Sequence, residues 1–185
     1  MKTKTNWFEA VWAIEDFLIL DSETTGLGRD AEILQLGIIN KAGEVLFDKL
    51  IQPWATWEWP GAQRVHGITP EMVADCLPIF DHEELFDLLH GKTVLVYNAP
   101  YDSRVFRQSL SLSNCKWYPE PLWIDVMEPY ATHWGAWSSR HQSYTWQSLT
   151  NACLQQNIEI KGAHSAVGDC QMTLALIKKL AGVGL

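Results

Sequence analysis

"FLILDSETTG" (residues 17–26) is the stretch on which the reading of this chain turns. Four apolar residues in an unbroken run, too short for a helix, read as a buried strand. The strand does not close on a single polar residue. It closes on Asp21 and Glu23, and on a strand residues i and i+2 project from one face. Two carboxylates therefore point the same way at a strand's carboxyl end, where sheets covered by helices gather their ligands. Alone, D-x-E is ordinarily a solvated strand end, so its meaning depends on whether other acids join it.

Working outward, "EILQLGIIN" (32–40) and "EVLFDKLIQP" (44–53) flank Lys41-Ala42-Gly43 and predict a hairpin. The first three strands are then an antiparallel meander. Upstream, Trp7, Val11 and Ile14 recur at helical spacing and predict an N-terminal helical extension within residues 1–16. Downstream, "TPEMVADC" (69–76) starts a helix with Thr69 as cap and Pro70 at the first position. "DHEELFDLLHG" (81–91) predicts a helix capped by Asp81 and stopped at Gly91. "TVLVYN" (93–98) is a strand, a helix follows from about Ala99 to Leu110, and "LWIDVM" (122–127) is a last strand. Helices at about 145–156 and 166–181 end the order β-β-β-α-α-β-α-β-α-α, an α/β domain with a mixed sheet. Length fits one domain over residues 1–185.

Two further aspartates fall at equivalent places. Asp102 lies just past "TVLVYN", in the first turn of the next helix. Asp169 lies in "AHSAVGDCQMTLALIKKL" (163–180), where Met172, Leu176 and Leu180 mark a core-facing side. Either alone is a helix-start charge favoured by the macrodipole. Four clustered carboxylates are different: at ~4 Å one like-charge pair costs on the order of 4 kcal/mol at an effective dielectric of 20. Protons or cations must sit among them. All-oxygen ligation favours Mg²⁺ or Mn²⁺, and two such ions can hold a phosphate's attacking and leaving oxygens. His164, in "KGAHSAVGD" (161–169), is placed five residues before Asp169 to serve as base.

The bulk numbers bound the partners. A formal net charge of −8 is a poor balance for gripping a long duplex through many phosphates. A nucleic acid is compatible only if the chain touches a short end and cations offset the acid. No apolar run approaches the ~20 residues that cross a bilayer, so no membrane is expected. Lys2 and Lys4 precede acids at Glu9, Glu15 and Asp16, which argues against a signal peptide. The four cysteines are scattered, with no C-x-x-C, and a reduced cytoplasmic setting is expected.

D-x-E (Asp21, Glu23), a middle aspartate (Asp102) and H-x4-D (His164, Asp169), in that order, resemble the DEDDh branch of the DnaQ-like 3′→5′ exonucleases. This superfamily includes RNase T and polymerase proofreading subunits. "DSETTGL" (21–27), "VHGIT" (65–69) and "NAPYD" (98–102) carry the resemblance further, over roughly residues 17–180. The sister branch has tyrosine where this chain has Ser165. The resemblance implies an RNase H-like fold with a five-stranded mixed sheet whose first three strands are antiparallel. It implies that Asp21, Glu23 and Asp169 bind one metal, that Asp21 bridges to a second held partly by Asp102, and that His164 is the general base. It places Thr24, Gly26 and Leu27 against the terminal nucleotide, with His66 and Asn98 nearby. The activity implied is release of nucleoside 5′-monophosphates from nucleic-acid 3′ ends. The motifs lean toward DNA over RNA; single-stranded DNA is the expected substrate, and DNA replication and repair the expected setting. RNA trimming is the alternative of the same chemistry, and a silent nucleic-acid-binding or polymerase-accessory module the alternative of another class.

Arg64, Arg104, Arg107, Arg140 and Lys161 are candidate phosphate partners or plain surface cations. "TGLGRD" (25–30) lacks the third glycine of a dinucleotide loop and reads as a turn. Trp54, Trp57 and Trp59 crowd one loop, which either stacks bases or packs on itself. "THWGAWSSRHQSYTW" (132–146) reads as an entrance wall or a homodimer contact. The chain's end soon after the Asp169 helix favours a free-standing or surface-docked enzyme over a tethered subunit.

Overall fold

A computed structural model describes residues 6–112, 115, 118–119 and 121–184. A short helix α1 (Trp7–Trp12) leads into β1 (Leu18–Thr24), β2 (Ile33–Asn40) and β3 (Val45–Leu50). Helices α2 (Pro60–His66), α3 (Pro70–Val73) and α4 (Glu83–Leu89) precede β4 (Thr93–Val96). Then come α5 (Ala99–Leu112), β5 (Leu122–Asp125), α6 (Met127–Trp134), a small hairpin β6 (Trp137–Ser138) and β7 (Ser143–Tyr144), α7 (Leu149–Gln155) and α8 (Ala166–Leu180). The main sheet runs β3-β2-β1-β4-β5, with the first three strands antiparallel and β1, β4 and β5 parallel. This is the mixed five-stranded sheet expected from the sequence.

The unbroken FLIL run follows from burial on both faces. Phe17 and Ile19 pack with α1, α6, α7 and α8, among them Phe8, Tyr130, Cys153 and Leu176. Leu18 and Leu20 face the other way, onto Leu85 and Leu89 of α4 and Val105 and Phe106 of α5. By the same alternation, Asp21 and Glu23 continue the α8 face, while Ser22 and Thr24 continue the α5 face. This parity decides where each acid is met.

Gly37 sets the distance between sheet and helix. It lies opposite Asp21 in the β1–β2 register. A Cβ there would sit 2.6 Å from the Ala166 carbonyl carbon and 2.7 Å from the Val167 nitrogen. Only glycine lets the first turn of α8 lie against β2, and that contact brings Asp169 to Asp21. Cys170 seals it, its buried thiol donating to the carbonyls of Gly37 and Ile19. Gly37→Ala is expected to cost about 1–3 kcal/mol from overpacking, lowering the thermal midpoint by roughly 2–12 °C. Calorimetry checks this, and an unchanged midpoint would mean the helix gives way freely.

Several boundaries differ from the sequence expectation. The helix predicted over 81–91 is capped by His82; Asp81 belongs to a 3-10 turn over Ile79–Asp81 that follows Pro78. The Thr69 helix lasts one turn, and β4 ends at Val96, since Asn98 turns into the left-handed region (φ 81°). "LWIDVM" is strand only to Asp125, because that carboxylate accepts the Glu128 amide and starts α6. Residues 145–147 lie outside α7, which begins after the Ser148 cap. The N-terminal helix is Trp7–Trp12, and residues 1–5 of the expected extension lie outside the described residues. No helix among the described residues is long and apolar enough to cross a membrane.

Candidate active site

β1 delivers Asp21 and Glu23 to the α8 face, and α8 brings Asp169 in its first turn. Ligand-capable oxygens of these three residues lie within 4.8 Å of one another. Three contacts fix that helix start. Ser165 caps it through the Gly168 amide, and Gln35, paired with Glu23 across the sheet, accepts the Ala166 amide at 3.3 Å. Gly168 packs on Gly162, where a Cβ would overlap the Gly162 carbonyl.

Asp102 approaches from the opposite face of the sheet. It starts α5, is buried, and accepts a 2.6 Å hydrogen bond from the Ser22 hydroxyl. It therefore stands outside the three-carboxylate group, as the parity of β1 requires, yet still acts on it electrostatically. Burial pushes the Asp21 carboxyl well above the usual carboxylate range, and the charges of Asp102, Asp169 and Glu23 push it further. Burial and the charges of Asp169 and Asp102 raise Glu23 to about 7. Burial raises Asp102 to about 7, against the pull of the Ser22 hydroxyl. Asp169 is raised by burial and drawn back by the His164 backbone and ring.

Such a cluster has the chemistry of a cation site. Asp169 Oδ1 is buried and has no hydrogen-bond partner among the described residues. With the all-carboxylate donor set and the upward shifts, that orphan oxygen fits a hard divalent cation such as Mg²⁺ or Mn²⁺. Asp21, Glu23 and Asp169 could hold one, with Asp102 within electrostatic reach of Asp21.

His164 is exposed, in the loop entering α8, with a left-handed backbone (φ 65°) that is strained for a non-glycine residue. It lies close enough to Asp169 and His66 to act on both electrostatically, and His66 lines a neighbouring cleft. That cleft, about 800 Å³, is lined by Glu23, Thr24, Gly26, Leu27, Trp59 and His66, among others. Leu27 is 86% exposed at its edge. His66 Nδ1 accepts the Ile68 amide, so its ring proton is on Nε2 and donates to the Thr24 carbonyl. Burial lowers its pKa.

Thr24 lines the cleft, but its hydroxyl is turned to the α5 face, bonded to Tyr101 and the Gly26 carbonyl. Asn98 does not line the cleft; its amide is held by Asp125. Arg104 is not a free phosphate partner, since its guanidinium donates to the Gly28 and Leu27 carbonyls and holds the loop beneath Leu27. Lys161 pairs with Glu159 at 2.8 Å.

Two acids escaped sequence reasoning. Asp125 accepts the amides of Asn98, Ala99 and Glu128, and so fixes the start of α5 that carries Asp102. A lone acid ending an apolar parallel strand was its signal. Glu32, 1% exposed, accepts the amides of Trp54, Ala55 and Thr56, the last at 2.7 Å. This clamp holds the tryptophan loop, in which Trp59 is buried and donates to the Ile68 carbonyl while Trp54 and Trp57 stay exposed. The loop thus packs at one end and is open at the other. Glu32→Gln is expected to cost about 1.5–3 kcal/mol, since one neutral oxygen replaces a charged acceptor of three amides. Urea unfolding checks this, and an unshifted midpoint would show the clamp to be idle.

Comparison with known proteins agrees with this geometry. Residues 18–177 match the family model described as "Exonuclease" (RNase T), and the chain belongs to that family. It is 34% identical to the uncharacterized exonuclease CP81 of Escherichia phage 186, over 94% of this chain and 92% of that protein. The DNA polymerase III subunit epsilon of Pasteurella multocida is 33% identical over 46% of this chain and 38% of its own length. Exonuclease X, solved in complex with 5′-overhanging duplex DNA, shares the fold with a TM-score of 0.65 and 23% identity, over 91% of this chain and 94% of that one.

Proposed function

We propose that this chain is a metal-dependent 3′→5′ exonuclease that releases nucleoside 5′-monophosphates, preferring single-stranded DNA. The observation that carries the reading is the meeting of Asp21, Glu23 and Asp169 within 4.8 Å, with exposed His164 acting on Asp169 and Glu23 lining a cleft. In this reading Asp21, Glu23 and Asp169 would hold one cation, and Asp102 would help Asp21 hold a second, partly through water. Cations held there would supply acidification of the attacking water and offset charge on the phosphate and the leaving oxygen. His164 takes the proton as the water oxygen bonds to the terminal phosphorus. The bond from phosphorus to the 3′ oxygen breaks, that oxygen takes a proton from solvent water, and His164 returns its proton to solvent. The products are a nucleoside 5′-monophosphate and a chain one residue shorter with a free 3′-hydroxyl.

Thr24, Gly26, Leu27 and His66 border the terminal nucleotide. Exposed Leu27 packs on its base, and the His66–Thr24 bond holds the cleft wall. Asn98 acts near the same nucleotide by shaping the start of α5. Residues 1–185 act as one domain with an N-terminal helical extension, in a cytoplasmic setting. The DNA preference is supported by the DNA in the exonuclease X complex and by the polymerase relative. A silent binding module is disfavoured because all five catalytic positions are filled.

The test uses DNA and RNA oligonucleotides of equal length, single-stranded and duplex, with products separated by chromatography. Faster release of deoxynucleoside 5′-monophosphates from single-stranded DNA is expected. Preferred hydrolysis of RNA would make the chain an RNA trimmer; 3′-monophosphate products would overturn the mechanism.

A further inference from the structure

Residues 129–158 contain no aspartate or glutamate, in a chain whose formal charge is −8. This stretch carries Arg140, His133 and His141 as its only cationic side chains. Its centre is the β6–β7 hairpin. Trp137 and Tyr144 pair across it, edge to face, with ring centroids 5.2 Å apart. Neither ring is covered: Trp137 is 55% exposed, and Trp146, just past the hairpin, 68%. Two shallow pockets of about 380 and 220 Å³ lie against Tyr144 and Trp146.

The hairpin is tied to the edge of the sheet where the carboxylates lie. The Gln147 carbonyl, next to Trp146, accepts the Tyr97 hydroxyl at 3.0 Å, and Tyr97 directly follows β4. Glu128, whose amide is held by Asp125 at the end of β5, borders the smaller pocket with Trp146. The carboxyl ends of both strands therefore anchor the platform.

We propose that this hairpin, with Trp146, is a second single-stranded nucleic-acid site that holds the strand upstream of its 3′ end. Bases stack on Trp137, Tyr144 and Trp146, and Arg140 meets a phosphate. Exposed rings interleaved with Ser, Thr, Gln and His are what base stacking uses, because every base offers a π-face. The stretch carries Arg140 and no acid of its own, which complements phosphate, and Glu128 borders only the smaller pocket. A second copy is a poorer occupant, since an isologous contact would set Arg140 and His141 against themselves. The proposal rests on the nuclease reading for the direction of the strand, but binding at the hairpin requires no catalysis.

The test is fluorescence anisotropy in EDTA, with a fluorescein-labelled trinucleotide and a long oligothymidylate. Trp137→Ala/Trp146→Ala is expected to weaken binding of the long strand by about 5- to 150-fold, the worth of one stacked base, and to leave the trinucleotide unchanged. Arg140→Ala, an exposed change that leaves the core intact, should reduce the salt slope for the long strand by about 0.7, as for one phosphate contact. A uridylate strand of the same length separates a DNA from an RNA occupant. Unchanged long-strand binding in both variants would overturn the proposal even if the enzyme degrades oligonucleotides normally. Loss of a dimer on size exclusion, without loss of oligonucleotide binding, would also overturn it. Long-strand binding that falls in the variants of an enzyme inactive with every metal would uphold the hairpin site and reject the nuclease reading.

Discussion

Replacing His164 with alanine is expected to slow nucleotide release by about 10²–10⁴-fold, the usual worth of a positioned base. The side chain is exposed and outside both faces of the core, so the loss should appear in turnover while the melting temperature holds. The backbone supplies a sharper control. At φ 65° a histidine is strained and a glycine is not. His164→Gly should therefore be as stable as the parent, or more so, and as inactive as the alanine variant. Single-turnover kinetics with both variants checks this. Near-normal turnover in either would remove the histidine from the mechanism.

Asp21→Asn is expected to have opposite effects on activity and on the stability of the metal-free protein. Activity should fall below roughly one per cent, since outer-shell partners alone are worth 10–100-fold. Stability in chelator should rise, because the Asp21 charge is opposed by burial and by three neighbouring acids. The pH dependence has a definite sign. Glu23 and Asp102 hold their protons to about 7 in the folded chain, whereas unfolded carboxylates release theirs near 4. Between these values the folded state binds more protons, so metal-free stability falls as pH rises from about 4 to about 7. Each tenfold change in an acid constant is worth about 1.4 kcal/mol. Mn²⁺ should restore stability above pH 7 in the parent and much less in the variant. Wild-type Mn²⁺ uptake by Asp21→Asn in titration calorimetry, or a metal-free protein more stable at pH 8 than at pH 5, would contradict this.

The strands were legible because their patterns have few alternatives. FLIL is apolar on both faces, and two acids two apart must share one of them. Parity could also have separated Asp102 from that face, since Ser22 and Thr24 alternate with the acids and turn to α5. What escaped was structure without a periodic signature. Helix α2 is seven residues with none buried, so no apolar stripe announces it. Glu32 looks in sequence like the charged start of a strand, and only the path of the chain brings the amides of 54–56 to it. Gly37 likewise reads as a weak point in a strand until α8 is seen against it. The hairpin at 137–144 has two-residue strands, shorter than any alternation can reveal.

The most direct test of the central claim, that these carboxylates serve metal-dependent hydrolysis from a 3′ end, is a time course on a 5′-labelled single-stranded oligodeoxynucleotide with MnCl₂ or with EDTA. A ladder shortening one nucleotide at a time with the metal, and an intact strand in chelator, is the predicted result. An unshortened strand with every divalent cation, or equal degradation in EDTA, would contradict it.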